Sequence, residues 1–270
     1  MSKDGINLTP LETRVLAWSQ LNKRRIIHSG DLLKILAISP KQEANLLTKM
    51  SKSGLTIKLT RGLYLLPEKI PARAWSPSQY YLLSILMKEL DARYQVTGLA
   101  AFNFHKLSTQ IPNQISVYNT KLSGRKKIGI AVFNFIKVNL DRLGDIDNFE
   151  IKNSDNDLTI NISSLSRTII DAIYDYNKIG AIPEAYDWIK ERKNDDIFLK
   201  KLVKSTIRFG NIGTQRRIGY ILDSLKINSK ITNQILENLP KTNSLIPMIP
   251  QLPNRGINNK KWGVVINGKI

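Results

Sequence analysis

Asp145, Glu150 and Lys152 fall within DIDNFEIK, and acids followed by a lysine are what a metal-dependent nuclease of the PD-(D/E)xK type uses to hold its metal and activate water. That chemistry needs acids on adjacent strands. An aspartate so close to the E-x-K would have to share its turn, and a charged loop is the simpler reading. Asp155 and Asp157 in SDND could mimic the D-x-D pair of a nucleotidyltransferase, yet the Gly-Ser helix that precedes such a pair is missing, and a hairpin turn accounts for them. The chain has no cysteine and only two histidines, His28 and His105, far apart in sequence. Disulfides and thiolate metal sites are excluded, and a histidine zinc site has little to build on. His28 fits a helix cap or the edge of a core. No Ser/His/Asp arrangement or phosphate loop stands out, so the expectation is a protein that is not an enzyme and carries no cofactor.

Binding chemistry is better supplied. Lys and Arg number 41 against 22 Asp and Glu, a formal charge of +19 with a pI near 10.0, which suits a polyanionic partner. Residues 1–71 carry 12 basic and 5 acidic side chains and are the most densely basic part of the chain. At 270 residues and 42% hydrophobic content, one large domain or two to three small ones can bury real cores. An anionic membrane could also attract such a charge. The sequence shows no apolar run of about 18 residues and no basic leader followed by an apolar stretch, so a soluble, cytoplasmic protein is expected.

The elements that must position these charges begin with TPLETRVLAWSQLN, where Thr9 can cap a helix with Pro10 at its first position and Glu12 three residues after the cap. RRIIH is a short extended piece. SGDLLKILAI predicts a second helix capped by Ser29 or Gly30, and SPKQEANLLTKMSKSG a third, opened by Ser39, Pro40 and Gln42 and closed at Gly54. In LTIKLTRGLYLLP, Leu55, Ile57 and Leu59 alternate with polar residues, Arg61-Gly62 turns, and Leu63 to Leu66 return before Pro67. Three helices and a two-stranded ribbon in about 60 residues have the order of a winged helix-turn-helix.

On a wheel of 100° per residue, Lys41, Asn45, Thr48, Lys49 and Lys52 of the third helix share one arc with Gln42 at its edge, opposite Ala44, Leu46, Leu47 and Met50. Asn and Gln can read adenine, Lys can reach guanine or phosphate, and the arc contains no acid. Glu43 alone is out of place. Lys58 and Arg61 then belong to a wing beside the minor groove or backbone, with Gly62 making the turn, and Arg24 and Arg25 could clamp phosphate. The expected partner is double-stranded DNA.

KIPARAWSPSQ reads as a linker over residues 71–78, which divides a DNA-binding domain at 1–70 from a larger domain at 79–270. The larger domain is expected to be mixed α/β, giving an α+β protein overall. Its sheet-rich part, 97–162, follows a helix at about 78–91 and opens with another at 97–106; strands near 114–119, 126–139 and 158–162 form an antiparallel sheet. A helical part covers 163–240, and 241–270 is an extended tail laid over the surface.

Four segments, TGLAAFNFHKLSTQIPNQISVYNT (97–120), SSLSRTIIDAI (163–173), GTQRRIGYILDSL (213–225) and KWGVVIN (261–267), together resemble the AbiEi-type antitoxins of the AbiE abortive-infection systems of phage defence. The resemblance spans essentially the whole chain. It matches Thr97 and Ala101 to the family's T-x-x-x-A helix, Ser166, Arg167, Thr168 and Asp171 to S-x-x-R-T-x-x-D, and Arg216, Arg217, Gly219 and Leu222 to R-R-x-G-x-x-L. Where relatives have H-G-L, this chain has His105-Lys106-Leu107. The resemblance implies a transcriptional repressor that binds inverted repeats before its own toxin-antitoxin operon and, through its C-terminal domain, counteracts a nucleotidyltransferase toxin encoded beside it. Arg216 and Arg217, read in the first turn of their helix, would be disfavoured by its dipole unless they face an anion. That anion is either an internal carboxylate such as Asp171 or Asp175, or a nucleic-acid phosphate; with Arg167 they are the candidate C-terminal anion or antitoxin site.

Overall fold

The computed structural model describes residues 8–70, 74–151 and 158–270, which make an α+β protein in two compact units. The first unit runs to Ala92 and includes Arg125–Phe133; the second comprises Arg93–Gly124 and Asn134–Ile270. The division therefore does not fall at the expected linker, because the helix after it packs with the N-terminal elements. Trp75 N–H donates to the Gly54 carbonyl, and the Arg25 guanidinium lies over the Trp75 and Tyr81 rings at 5.7 and 5.4 Å.

In the first unit, α1 (Pro10–Leu21), β1 (Ile26–His28), α2 (Leu32–Leu36), α3 (Pro40–Lys52), β2 (Ile57–Thr60), β3 (Leu63–Leu65) and α4 (Gln79–Glu89) follow in order. The three strands form an antiparallel sheet ordered β1-β3-β2. Both expected capping boxes are present: Thr9 with Glu12 at α1, and Ser39 with Gln42 at α3, each with proline at the first turn. Such a cap is worth about 1 kcal/mol. The apolar sides of α1, α2 and α3 meet in a core of Val15, Leu16, Leu32, Leu47 and Met50, closed by Ile27 and Tyr64 of the sheet.

After α4 come β4 (Tyr94–Thr97), α5 (Leu99–Phe104), β5 (Ile115–Asn119), β6 (Gly124–Ile128), β7 (Ala131–Lys137), β8 (Ile146–Ile151) and β9 (Leu158–Ser163), all of the second unit except Arg125–Phe133, which puts β6 beyond Gly124 and the start of β7 in the first. These strands form one sheet ordered β6-β7-β5-β4-β9-β8. It is mixed rather than antiparallel, since β4 runs parallel to β9 through Val96 and Ile162. Strand β4 carries no apolar alternation, because Gln95 and Thr97 are buried as hydrogen-bonding groups rather than exposed.

Helices α6 (Leu165–Tyr174), α7 (Glu184–Glu191), α8 (Asp196–Phe209), α9 (Ile212–Ser224) and α10 (Ser229–Asn238) pack around Ile169, Ile173, Leu202, Ile218 and Leu222. The tail does not lie over the surface as expected. Its strands β10 (Ile246–Pro247), β11 (Ile257–Asn259) and β12 (Val264–Ile266) form a small sheet, and Met248, Trp262 and Val264 enter the helical core. Gly219 makes this possible. A Cβ there would come within 2.1 Å of the Trp262 ring, so only glycine lets the indole close against α9. Lys106, at the position where the resemblance calls for glycine, adopts the left-handed conformation at φ +59°. Among the described residues, no helix is long and apolar enough to cross a membrane.

Candidate nucleic-acid interface

Helix α3 presents Lys41, Gln42, Asn45, Thr48, Lys49 and Lys52 to solvent, while Leu46, Leu47 and Met50 are buried. Ala44 is exposed, at the edge of the polar arc rather than opposite it. The side chains of Lys41, Asn45, Thr48 and Lys52 have no hydrogen-bond or ion-pair partner among the described residues, so their polar groups are available to a ligand. Two members of the arc are engaged. Gln42 accepts the Ser39 N–H at 2.8 Å as part of the cap, which leaves its amide nitrogen as the free end, and the Lys49 ammonium stands 3.6 Å from the buried Glu12 carboxylate. Burial pushes the Glu12 carboxyl upward, but hydrogen bonds from Thr9 and the charge of Lys49 outweigh it and hold the group below its usual range.

Glu43 has its explanation here. Its side chain is buried, and its two oxygens accept the Gly30 and Leu32 N–H groups at 2.7 and 2.9 Å. It therefore caps the N-terminus of α2, in place of Ser29 or Gly30, and holds α3 to α2 through the positive end of the α2 dipole. Asp31 contributes by accepting the His28 N–H at 2.9 Å, which puts His28 at the turn before that helix.

The β2–β3 hairpin closes through the two residues Arg61 and Gly62. Gly62 has φ +73° and its carbonyl accepts the Ser29 N–H, so the tip is tied back to the segment before α2. Arg61 and Lys58 are exposed, with no partner for either side chain among the described residues. The two connecting arginines differ. Arg24 is 53% exposed, 3.7 Å from Asp31, and remains accessible. Arg25 is a structural residue instead of a phosphate clamp: its Nε donates to the Leu66 carbonyl, its Nη1 pairs with Glu68 at 3.5 Å, and its flat face is covered by Trp75 and Tyr81.

The residues that carry the family resemblance build the interior of the second unit. Asp171, fully buried, accepts from Arg142 Nη2 at 2.6 Å and Arg167 Nε at 2.7 Å through one oxygen, and from the Thr97 and Ser163 hydroxyls at 3.2 Å through the other. The serine that fits the S-x-x-R spacing is Ser164, which caps α6 by accepting the Arg167 N–H. Arg167 also donates to the carbonyls of Arg142 and Gly144. It is wholly enclosed, the anion it meets is the internal Asp171 carboxylate, and burial lowers its pKa despite that partner. Arg142 stacks on Tyr174 at 4.1 Å, and its Nε and Nη1 have no hydrogen bond among the described residues. The Tyr118 hydroxyl donates to Asp175 at 2.5 Å.

Arg216 and Arg217 lie beyond the first turn of α9, and neither faces a carboxylate among the described residues. Arg216 Nη1 donates to the Ser244 carbonyl and hydroxyl, and Arg217 Nε to the Pro247 carbonyl. Their partners come from the tail, which sequence reasoning placed on the surface. Asp171 is already shared by two arginines, and Asp175 is held by Tyr118 and, at 3.7 Å, Lys178.

Of the acids considered for metal chemistry, Asp145 stands just before the edge strand β8, in the left-handed conformation at φ +53°, and Glu150 lies near the far end of that strand. Asp145 accepts a hydrogen bond from Ser205. Lys152, Asp155 and Asp157 lie outside the described residues. Among those described, no three His, Cys, Asp or Glu side chains cluster to hold a metal.

The chain is thus an α+β protein whose N-terminal unit exposes a basic, acid-free helix face beside a basic hairpin tip. No family model and no curated protein matches it. Among solved structures it is similar to the RV2827C protein from Mycobacterium tuberculosis, at 13% identity, with 97% of this chain and 94% of that one covered and a TM-score of 0.58. A likeness at that identity shows the fold.

Proposed function

We propose that this protein is a DNA-binding antitoxin: a winged helix-turn-helix in its first unit represses the protein's own toxin-antitoxin operon by binding inverted repeats, and its second unit counteracts a nucleotidyltransferase toxin. The observation that carries the DNA-binding part is the free polar face of α3. Asn45, Thr48, Lys41 and Lys52 are exposed and uncommitted among the described residues, on a helix fixed by a capping box and by Glu43, next to a hairpin whose tip offers Arg61. The order α1-β1-α2-α3-β2-β3 supports the same reading, with α3 in the major groove and the β2–β3 turn at the adjacent backbone or minor groove. The antitoxin part rests on the resemblance. Its motifs converge in pairs, Thr97 with Asp171 and Gly219 with Trp262, which supports a second unit built to the family's plan.

Footprinting of the promoter region with the full chain tests the proposal. Asn45→Ala should weaken binding and relax base preference at one position, at a cost of about 1–3 kcal/mol for a bidentate base contact, and Arg61→Ala should weaken it without changing the preferred sequence. A promoter without a protected site, or two variants that bind as the parent does, would refute it. Co-expression with the neighbouring toxin, scored for growth, tests the second function.

A further inference from the structure

From residue 92 to residue 140 the chain contains no acidic side chain, although it contains seven basic ones. Three of the seven, Arg125, Lys126 and Lys127, are consecutive on β6, and they belong to the part of the β6–β7 hairpin that is counted in the first unit. Arg125 and Lys127 are exposed and Lys126 is half-buried. No carboxylate pairs with any of them among the described residues. The turn that follows is seated on the first unit's own elements: the Cβ position of Gly129 is 3.6 Å from Ile57 of β2 and 3.8 Å from Leu82 of α4. Strand β2 is also the strand that leads into Arg61.

Lysines on an edge strand can serve only to block the addition of foreign strands. One charge of either sign would do that. Arg125 and Lys127 share one face of β6 while Lys126 points to the other, and these uncompensated cations, set in a 49-residue acid-free stretch, exceed that need and have the sign of a phosphate contact. They offer no Asn or Gln to read a base edge, so the contact would be independent of sequence.

We propose that the β6–β7 hairpin is a second DNA-binding element of the first unit, which holds the phosphate backbone of duplex DNA through Arg125 and Lys127, with Lys126 adding its charge from the other face of the strand. The inference rests on the reading of the first unit as a DNA binder and assigns it a contact outside the helix and the wing. Replacing the three by Gln in the full chain should flatten the dependence of log K on log salt by about 2, at roughly 0.9 for each phosphate that is no longer neutralised. Affinity should fall by the same factor for promoter DNA and for a scrambled duplex, leaving their ratio unchanged, whereas Asn45→Ala lowers the ratio. Arg125→Gln and Lys127→Gln singly, at exposed positions, should each reduce the slope by about 1, and the charge-keeping set R125K, K126R and K127R should preserve it.

Fluorescence anisotropy with labelled duplexes, across the range of about 50 to 200 mM salt where such binding changes steeply, reads these outcomes, with single-stranded RNA as a parallel probe. A slope unchanged in the triple and single variants, while the parent binds promoter DNA, overturns the hairpin contact and leaves the proposed function standing. Weakening confined to RNA overturns it in favour of an RNA-binding hairpin. A parent chain that binds no duplex overturns both.

Discussion

Replacing Asp171 by Asn should remove much of the second unit's stability through one atom. The substitution preserves shape, and the amide can turn its oxygen toward either the two guanidinium groups or the two hydroxyls, but not both. Thr97 and Ser163 can rotate their hydroxyls to accept from the amide, so the favoured orientation keeps the oxygen on Arg142 and Arg167. What disappears is the negative charge at the centre of two enclosed cations. Breaking a buried pair by removing one partner costs about 3–5 kcal/mol, against a whole-domain stability of about 5–15 kcal/mol. At a urea slope of about 2 kcal/mol per molar, the midpoint should fall by about 2 M. Urea titration of the full chain, with hydrogen exchange of α6 and β4 amides to report on the second unit, measures this. Arg142→Met should cost much less in the Asp171→Asn background than in the parent, because the cation it deletes is then uncompensated. A destabilisation below about 1 kcal/mol, or strictly additive effects of the two substitutions, would refute the account of Asp171 as the shared counter-charge.

Two further outcomes follow from single groups. Glu43→Gln should destabilise the first unit by about 1–3 kcal/mol, because one amide cannot accept from both the Gly30 and Leu32 N–H groups, and promoter affinity should fall although residue 43 faces away from solvent; thermal unfolding and the anisotropy assay check the two parts. Stability should also decline at alkaline pH. Burial, followed by the charges of Asp171 and Asp175, raises the Tyr118 phenol well above its usual value near 10, so its contribution is complete below pH 10 and is lost as pH rises above that, where the unfolded chain releases the proton and the folded chain cannot. Tyr118→Phe should flatten this alkaline limb in urea titrations from about pH 8 to about pH 11, while lowering stability at the lower end of that range.

Where a local signal decides the conformation, the sequence is readable. The two Ser/Thr-Pro-x-Glu/Gln caps set the starts of α1 and α3, the R-G turn sets the hairpin, and the wheel position of Lys41, Asn45, Thr48 and Lys52 is enough to place them outside. Non-local pairing is not readable. Strand β4 hides its burial behind Gln95 and Thr97, whose partners Ser163 and Asp171 lie 68 and 74 residues away. Arg216 and Arg217 look like ligands for anions because their acceptors, the Ser244 and Pro247 carbonyls with the Ser244 hydroxyl, lie about 30 residues away and carry no charge, and Arg25 because its Leu66 carbonyl and Glu68 carboxylate lie more than 40 residues away. The prolines of IPMIPQLP suggest a surface segment, although Met248 between them is fully buried. The basic run on β6 is visible in principle as a stretch without Asp or Glu, a signal that net charge summed over long segments averages away.

The discontinuity of the first unit limits how the two proposed activities can be separated. A fragment ending near Ala92 would lack Arg125–Phe133, and so would leave Ile57 and Leu82 without the turn that rests on them. A fragment beginning at Arg93 would carry that hairpin with nothing of its own unit beneath it. Genetic dissection by deletion would then report on damaged halves, and failure of repression by an N-terminal fragment would not identify the second unit as its cause. Point substitutions at Lys41, Asn45, Thr48 and Lys52, exposed and without a side-chain partner among the described residues, are the perturbation that leaves both units whole.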